Sequence, residues 1–142
     1  MKRTAQAHWQ GDLKNGAGSL TTASHTLKST PYSFHSRFEE GQGTNPEELL
    51  AAAHAGCFTM ALSAQLAQAG LTATSLETEC TITLEKKEGG FEITESHLDL
   101  KAVVPNATKE AFDTAVKAAE TGCPVSKLYK TNITITSDLT AN

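Results

Sequence analysis

The chain has 142 residues, which is long enough to bury one hydrophobic core, so a single domain over residues 1–142 is expected. With 39% hydrophobic residues and an ordinary share of charged ones, the composition is that of a globular protein. The net charge of −4 argues against nucleic acid and anionic membranes as partners, because both require a basic patch.

The sequence predicts neither a membrane span nor a secretory signal. We expect no apolar run of the roughly 18 residues that a membrane helix needs. No apolar segment follows Lys2 and Arg3, as it would in a signal peptide. A cytoplasmic location is therefore expected. In that reducing compartment the three cysteines do not predict structural disulfides, and some of them are candidates for redox chemistry.

The N-terminal part of the chain predicts short strands. Residues 4–11 and 18–22 have strand-forming patterns, and Asn15-Gly16 between them is a hairpin signal. A further weak strand is expected over residues 20–27, and Thr30-Pro31 is expected to break it.

A single long helix is predicted within the stretch from Thr44 to Gly70. Asn45 suits the N-cap, Pro46 the first helical position, and Glu48 the third position of a capping box. Gly70 marks the end of the helix. Between these ends the residues are mainly Ala, Leu, Met and Phe, so the helix is expected to be buried on most sides.

The rest of the chain predicts two strands, a helix, a short helical turn and a last strand. Apolar residues at even positions from Leu76 to Leu84 indicate a half-buried strand. Over residues 91–104 the apolar positions change from odd to even, which predicts a bulge at residues 95–97. The last elements are a helix that Thr108 caps and Gly122 ends, a turn at Cys123-Pro124 and a strand containing Ile133, Ile135 and Leu139. This order predicts an α+β fold rather than a doubly wound sheet.

The predicted central helix carries Cys57 and His54 among its apolar residues. Because they are three residues apart on a helix, their Cβ atoms are expected to lie about 5–6 Å from each other. Cys57 is either a reactive thiol or a small buried hydrophobic residue, and its position alone does not decide between the two. For His54 the sequence favours a histidine with satisfied hydrogen bonds and no catalytic role.

The other two cysteines differ in their surroundings. Cys123 lies between Gly122 and Pro124 at a predicted helix start, where amide groups and the helix dipole favour a thiolate. Cys80 lies on the apolar face of a strand, and a structural role is expected for it.

Arg37 and Glu47 are the charged candidates near the central helix. Arg37 lies in an aromatic segment, and the residues alone slightly favour a surface arginine whose stem packs on the rings. Glu47 precedes Cys57 by ten residues, which is about 15 Å along a helix axis. It therefore cannot reach Cys57 of its own helix, and a role at that thiol would require an intermediary or a second subunit.

The sequence predicts no metal or phosphate site. His54 and Cys57 form only half of a metal-binding motif. Gly41-Gln42-Gly43 precedes a helix but lacks the lysine of a phosphate-binding loop, and no serine has a G-x-S-x-G setting.

Four segments of the sequence resemble one family. They are AHWQGDLKNGAG, PYSFHSRFE, GTNPEELLAAAHAGCFTMALS and AAETGCPVSK. Together they resemble the osmotically inducible protein C and organic hydroperoxide resistance proteins (OsmC/Ohr) over nearly the whole chain. The segment that begins SRFE favours the OsmC branch.

This resemblance implies a fold, an assembly and a set of site residues. The fold would be OsmC-like, with antiparallel sheets packed on a long central helix and a second helix, in an intertwined homodimer with two active sites at its interface. Cys57 would be the peroxidatic cysteine and Cys123 the resolving cysteine. Arg37 and Glu47 would assist, with Glu47 holding Arg37 near the thiolate. Cys80 is not part of the pattern.

The resemblance also implies a thiol-dependent peroxidase that uses no metal or flavin. It would reduce organic hydroperoxides, and hydrogen peroxide less well, through a sulfenic acid and a disulfide between Cys57 and Cys123. A dithiol would regenerate it, with lipoyl groups favoured. Phe38, Phe58 and Met60 are candidate apolar neighbours for an alkyl hydroperoxide.

Two alternatives remain from the sequence. The first is a non-catalytic redox sensor or binding protein that uses the same disulfide as a switch. The second is a structural dimer with inert, buried cysteines. Continuous peroxide consumption distinguishes the peroxidase from both, because a sensor stops after one equivalent and an inert dimer loses no thiols.

Overall fold

The computed structural model of the protein describes all residues from 1 to 142, and they divide into two units, residues 1–49 and 50–142. Each unit has its own sheet. The predicted single domain over 1–142 stays a prediction, and the two units are described one at a time.

Three short strands form the sheet of the first unit. They are β1 (Ala5–Gln10), β2 (Ala17–Thr22) and β3 (Thr30–Tyr32), antiparallel and in the order β1-β2-β3. The predicted hairpin between β1 and β2 is confirmed, with a loop closed by the pair Gln10 and Ala17. The Asp12 carboxylate accepts hydrogen bonds from two backbone amides of this loop, those of Lys14 and Asn15, both at 2.9 Å.

The expectation of a strand over residues 20–27 that Pro31 breaks is wrong. β2 ends at Thr22, and Pro31 lies inside β3. β3 is an edge strand, where proline is tolerated because no ladder hydrogen bond from its nitrogen is needed. The Pro31 carbonyl accepts a hydrogen bond of 2.9 Å from the amide of Thr44. Gly43 permits this close approach, since its φ is +112° and a Cβ there would lie 2.4 Å from the Pro31 oxygen.

Two helices follow β3. The short helix α1 (Phe34–Phe38) begins at Ser33, whose side chain forms a reciprocal capping box with Ser36. The long helix α2 (Pro46–Gln68) confirms the prediction of a central helix. Asn45 caps it as expected, because its side chain accepts a 2.8 Å hydrogen bond from the amide of Glu48. The Glu48 carboxylate instead accepts from the hydroxyl of Thr44, at 2.6 Å.

The sheet of the second unit is mixed. It consists of β4 (Ser75–Lys87), β5 (Gly90–Val103) and β6 (Asn132–Thr140) in the order β4-β5-β6. β4 and β5 are antiparallel as expected, whereas β6 runs parallel to β5. The parallel pairing is possible because two helices separate β5 from β6 and supply the crossover that parallel neighbours require.

The predicted bulge in β5 is present one residue earlier than expected. Thr83 pairs with Glu95, and the next residue, Leu84, pairs with Ile93. Thr94 is therefore the extra residue, immediately before the predicted range 95–97. The bulge changes which face each residue occupies, which explains the change in apolar phase along β5.

The two crossover helices are α3 (Lys109–Gly122), which Thr108 caps, and α4 (Pro124–Leu128). Both agree with the predicted helix and helical turn. The hydrophobic core of this unit combines residues of α2, β5 and α3 with Val104 and Cys123: Phe58, Leu62, Leu66, Leu98, Leu100, Ala102, Val104, Phe112, Ala115, Val116, Ala119 and Cys123.

The expectation that α2 is buried on most sides is wrong for the single chain. Its buried residues are His54, Phe58, Leu62 and Leu66, which follow one face at spacings of four residues. On another face Met60 is 77% exposed. The helix is apolar on all its faces, but within a single chain only one face is buried.

The expectation on membrane-length segments also needs correction. By length and composition α2 is long and apolar enough to cross a membrane. Its many alanines raise the mean hydropathy without adding large side chains. The core helix of a water-soluble protein meets the same criterion, so α2 is weak evidence for a span.

Candidate active site

The side chains of Cys57 and Cys123 meet inside the second unit. Their sulfur atoms are 2.7 Å apart, and both residues are free thiols. The residues are 66 positions apart in the chain. α2 and the junction of α3 with α4 bring them together, so the structure places two of the four predicted site residues in contact.

The position of Cys123 is fixed by the backbone on both sides. It is the C-cap of α3 and the N-cap of α4, and its amide donates to the carbonyl of Ala119 at 2.9 Å. Pro124 occupies the first turn of α4, where its missing amide hydrogen is not needed. Cys123 is fully buried, whereas Cys57 is partly exposed. A small molecule can therefore approach Cys57 more readily than Cys123.

Hydrogen bonds give the two thiols different acidities. Burial alone would raise the pKa of Cys123, but the contact with Cys57 and hydrogen bonds from Ser126 and Val125 outweigh burial and lower the pKa. Burial raises the pKa of Cys57, and the contact with Cys123 raises it further.

The other two predicted site residues meet in the first unit. Arg37, in α1, donates to the carboxylate of Glu47, in the first turn of α2, with Nη2 to Oε1 at 2.8 Å and Nε to Oε1 at 3.2 Å. The Glu47 side chain is only 13% exposed and the Arg37 side chain 39%. The guanidinium also lies 5.2 Å from the centre of the Phe38 ring. The carboxylate and the ring thus fix the direction of the arginine.

An apolar cavity of about 300 Å³ lies beside this ion pair. Half of its lining residues are aromatic, and Arg37 is the charged member: Trp9, Leu13, Tyr32, Ser33, Phe34, Arg37, Phe38 and Pro46. Phe38, one of the expected apolar neighbours, is part of it. The expectation for Phe58 is wrong, because this side chain is completely buried in the core of the second unit and cannot contact a substrate.

His54 is completely buried and uses both ring nitrogens. Nδ1 contacts the Ser96 hydroxyl at 2.6 Å, and Nε2 contacts the Ser126 hydroxyl at 2.8 Å. Burial lowers the pKa of His54, so the ring is neutral. The ring also meets that of Tyr129 edge-on at 5.1 Å. The prediction that the hydrogen bonds of His54 are satisfied is confirmed, although the sequence did not predict its partners.

Sequence reasoning missed Ser96 and Ser126. Ser96 is a polar residue on the otherwise apolar inner face of β5, which is the signal that could have revealed it. Ser126 lies in the first turn of α4, but its hydroxyl contacts His54 and α4 has no side-chain cap hydrogen bond, so no local pattern could have revealed it. Cys80, expected to be structural, contacts the same Ser96 hydroxyl at 3.3 Å.

Comparison with known proteins identifies the family. The family model described as "OsmC-like protein" matches residues 39–138. The chain belongs to the OsmC-like protein family. It is 47% identical over 133 residues to "Peroxiredoxin OsmC" of Escherichia coli (strain K12), covering 94% of this chain and 93% of that protein.

Two further relatives agree with this membership. The organic hydroperoxide resistance protein of Xanthomonas axonopodis pv. citri (strain 306) is 33% identical, covering 96% of this chain and 93% of its own length. The crystal structure of the organic hydroperoxide resistance protein OhrB of Bacillus subtilis superposes with a TM-score of 0.68 at 26% identity, covering 96% of this chain and 98% of that one. The α+β, OsmC-like fold is thereby confirmed.

Proposed function

We propose that this protein is a cysteine-based peroxidase that reduces organic hydroperoxides, and hydrogen peroxide less well, to the corresponding alcohol or water. The observation that carries the proposal is the 2.7 Å contact between the sulfur atoms of Cys57 and Cys123. The names of its relatives, a peroxiredoxin and organic hydroperoxide resistance proteins, support this activity.

In the first step Cys57 is the nucleophile. Its thiolate attacks the terminal oxygen of the hydroperoxide, the O–O bond breaks, and the alkoxide takes a proton to become the alcohol. The sulfur is oxidised by two electrons to a sulfenic acid. The partial exposure of Cys57 supports this assignment, because Cys123 is fully buried.

A positive charge is needed to make Cys57 reactive. Because burial raises the pKa of this thiol, little thiolate forms at neutral pH without a cation. We assign that charge to Arg37, which Glu47 holds in place. Glu47 lies too far along the helix to reach Cys57 of its own chain. The Arg37 and Glu47 that act on a given Cys57 therefore belong to the partner subunit in this mechanism.

In the second step Cys123 resolves the sulfenic acid. The Cys123 thiolate attacks the Cys57 sulfur, the S–S bond forms, and the S–O bond breaks to release hydroxide, which becomes water. A dithiol reductant, a lipoyl group among the candidates, then reduces the disulfide by thiol–disulfide exchange. The position of Cys123 next to Cys57 favours rapid formation of the disulfide, because the two sulfur atoms are already in contact.

The cavity beside Arg37 supports organic hydroperoxides as the substrate class. Its aromatic walls suit an alkyl or aryl group, while the guanidinium suits the polar peroxide end. Hydrogen peroxide has no apolar part to bury there and gains less binding free energy.

The exposed face of α2 supports a homodimer. Ala53, Gly56, Met60 and Ala64 are exposed in the single chain and follow one stripe of the helix. The small residues allow another backbone to come close, and Met60 offers an apolar side chain for burial. A second copy of the chain is the proposed cover, with a cytoplasmic location for the assembly.

The test is steady-state consumption of tert-butyl hydroperoxide with dihydrolipoamide as the reductant. Wild type is expected to turn over continuously, Cys57→Ser to be inactive, and Cys123→Ser to consume one equivalent and then stop as a sulfenic acid. Cys80→Ser is the matched control and retains turnover. A wild type that stops after one equivalent would indicate a redox sensor, and full activity of Cys57→Ser would refute the assignment.

A further inference from the structure

One face of the first sheet carries two aromatic rings beside a glycine. Trp9, Gly18 and Tyr32 are cross-strand neighbours on β1, β2 and β3. A Cβ at Gly18 would lie 2.4 Å from Cε1 of Tyr32 and 2.7 Å from Cε3 of Trp9, so glycine is what leaves room for both rings. The ring centres are 5.4 Å apart. The two rings therefore form a continuous apolar wall of the cavity beside Arg37.

Leu13 lines the same cavity from the loop between β1 and β2, although it is 67% exposed. Hydrogen bonds fix this loop. The Asp12 carboxylate accepts from two backbone amides of the loop, each at 2.9 Å. The indole Nε1–H of Trp9 donates to the carbonyl of Gly11 at 3.0 Å, which ties the aromatic wall to the loop. The leucine side chain is therefore held at the rim of the cavity, next to the wall.

The rim of the cavity has one apolar and one charged residue. Of the lining residues, Leu13 and Arg37 are exposed and the others are half-buried. An organic hydroperoxide has the same division, because an apolar substituent is joined to a polar O–O–H group. The guanidinium can donate a hydrogen bond to the peroxide oxygens. The substituent loses contact with water when it lies against the leucine and the two rings.

We propose that Leu13 is a specificity-determining residue for the substituent of the hydroperoxide: with Trp9 and Tyr32 it forms an apolar subsite, while the peroxide end stays at Arg37. The inference rests on the proposed function and concerns which hydroperoxides the protein uses. A cavity of about 300 Å³ is at the lower end of the size of small-molecule sites, so a compact substituent fits better than a long chain. An aryl group, as in cumene hydroperoxide, also gains contacts with the two rings.

The first experiment compares cumene hydroperoxide with hydrogen peroxide in the steady state, with dihydrolipoamide as the reductant. Leu13→Ala is expected to lower the ratio of the two kcat/KM values by about tenfold at the expense of cumene hydroperoxide, as small changes in an apolar pocket do. Leu13→Met keeps a side chain of similar volume and should restore most of the ratio. Lys14→Ala is the matched control with an unchanged ratio, because Lys14 is the next residue of the loop and does not line the cavity.

A second experiment measures binding without turnover. Trp9 is the one tryptophan of the chain and lines the cavity, so its fluorescence should change when an apolar ligand binds there. Cys57→Ser protein is titrated with 2-phenyl-2-propanol, the alcohol formed from cumene hydroperoxide. A saturable change is expected, with a dissociation constant about tenfold higher when Leu13→Ala is added. Adding Lys14→Ala instead should leave the dissociation constant unchanged.

The outcomes keep the inference separate from the proposed function. If wild type turns over but Leu13→Ala keeps the wild-type ratio and dissociation constant, the subsite is refuted while the peroxidase stands. Equal losses of kcat/KM for both peroxides in Leu13→Ala also refute it, because they indicate general damage to the site. If wild type consumes neither peroxide, the peroxidase is refuted and the titration alone decides on the subsite. A dissociation constant that does not depend on Leu13 then overturns the subsite as well.

Discussion

The two units of the chain hold their reactive residues in different ways. In the second unit Cys123 is part of the hydrophobic core and Cys57 packs against it. In the first unit Arg37 is positioned by one carboxylate and one ring beside a cavity, and its side chain is 39% exposed. Changes around the thiol pair are therefore expected to alter the stability of the fold more than changes to the ion pair do.

This difference has a chemical use in the proposed mechanism. The two sulfurs form and break a bond in each catalytic cycle. A rigid core favours this step, because misplaced sulfurs would form the disulfide more slowly. An arginine that must meet substrates of different size benefits from a partly open position. Variants in the core of the second unit are therefore expected to lower mainly the free energy of unfolding. Variants of the ion pair are expected to lower mainly kcat/KM.

The largest effect is expected in the core around the thiols. Phe112→Ala removes a ring that is 1% exposed and should lower the free energy of unfolding by about 3–5 kcal/mol, through lost burial and the cavity left behind. Urea unfolding measures the change. Phe91→Ala, on a ring that is 55% exposed, is the control with a smaller expected loss. Equal losses in the two variants would contradict the role given to the core.

Arg37→Ala is expected to lower kcat/KM for tert-butyl hydroperoxide by about 10²–10³-fold, the usual cost of removing one stabilising cationic or hydrogen-bond donor. Its urea midpoint should fall less than that of Phe112→Ala: the Arg37 side chain is partly exposed, but the Glu47 carboxylate, 13% exposed, loses its partner. Arg37→Lys keeps the charge but not the paired geometry and should recover part of the loss. A kcat/KM within twofold of wild type in Arg37→Ala would remove Arg37 from the mechanism.

Glu47→Ala should have a smaller effect on rate, about tenfold, because the charge of Arg37 remains and only its orientation is lost. If sites are shared between subunits, mixing Glu47→Ala with Cys57→Ser chains should restore activity above that of either parent. Each mixed dimer then has one site with an intact Cys57 from one chain and an intact Glu47 from the other. Mixing without recovery counts against sharing.

The smallest effect is expected from pH. His54 has an ordinary pKa of 6.5, and burial lowers it in the folded protein. Below pH 6.5 His54 is protonated in the unfolded chain but still neutral in the folded one. The free energy of unfolding therefore falls as the pH is lowered, by at most about 1.4 kcal/mol per pH unit, until the lowered pKa is reached. Urea unfolding at several pH values should show this slope in wild type and a smaller one in His54→Gln. Identical slopes would mean that His54 titrates alike in both states.

Local signals predicted much of the fold, and long-range contacts explain what they missed. Asn45 and Thr108 were identifiable as caps, because a cap is a contact between residues three apart. Pro31 lies inside a strand because that strand is at the edge of its sheet, and the local sequence does not show which strand is at an edge. The exposure of Met60 depended on what covers α2, which also lies outside the local sequence.

The candidate site shows the same limit. Cys123 was expected to be reactive from its local setting, but its pairing with Cys57 came only from the family resemblance, since 66 residues separate them. The partners of His54 lie 42 and 72 residues away and were not predicted. Side-chain contacts of this range are decided by how helices pack on the sheet, and composition or periodicity does not encode them.

The most direct test of the account is a peptide map of the reduced protein after one equivalent of tert-butyl hydroperoxide. Remaining thiols are alkylated before digestion, and mass spectrometry identifies the linked peptides. The account predicts one disulfide, between Cys57 and Cys123, with Cys80 alkylated. Consumption of the peroxide with Cys57 and Cys123 both alkylated, or a disulfide from Cys57 to Cys80, would contradict it.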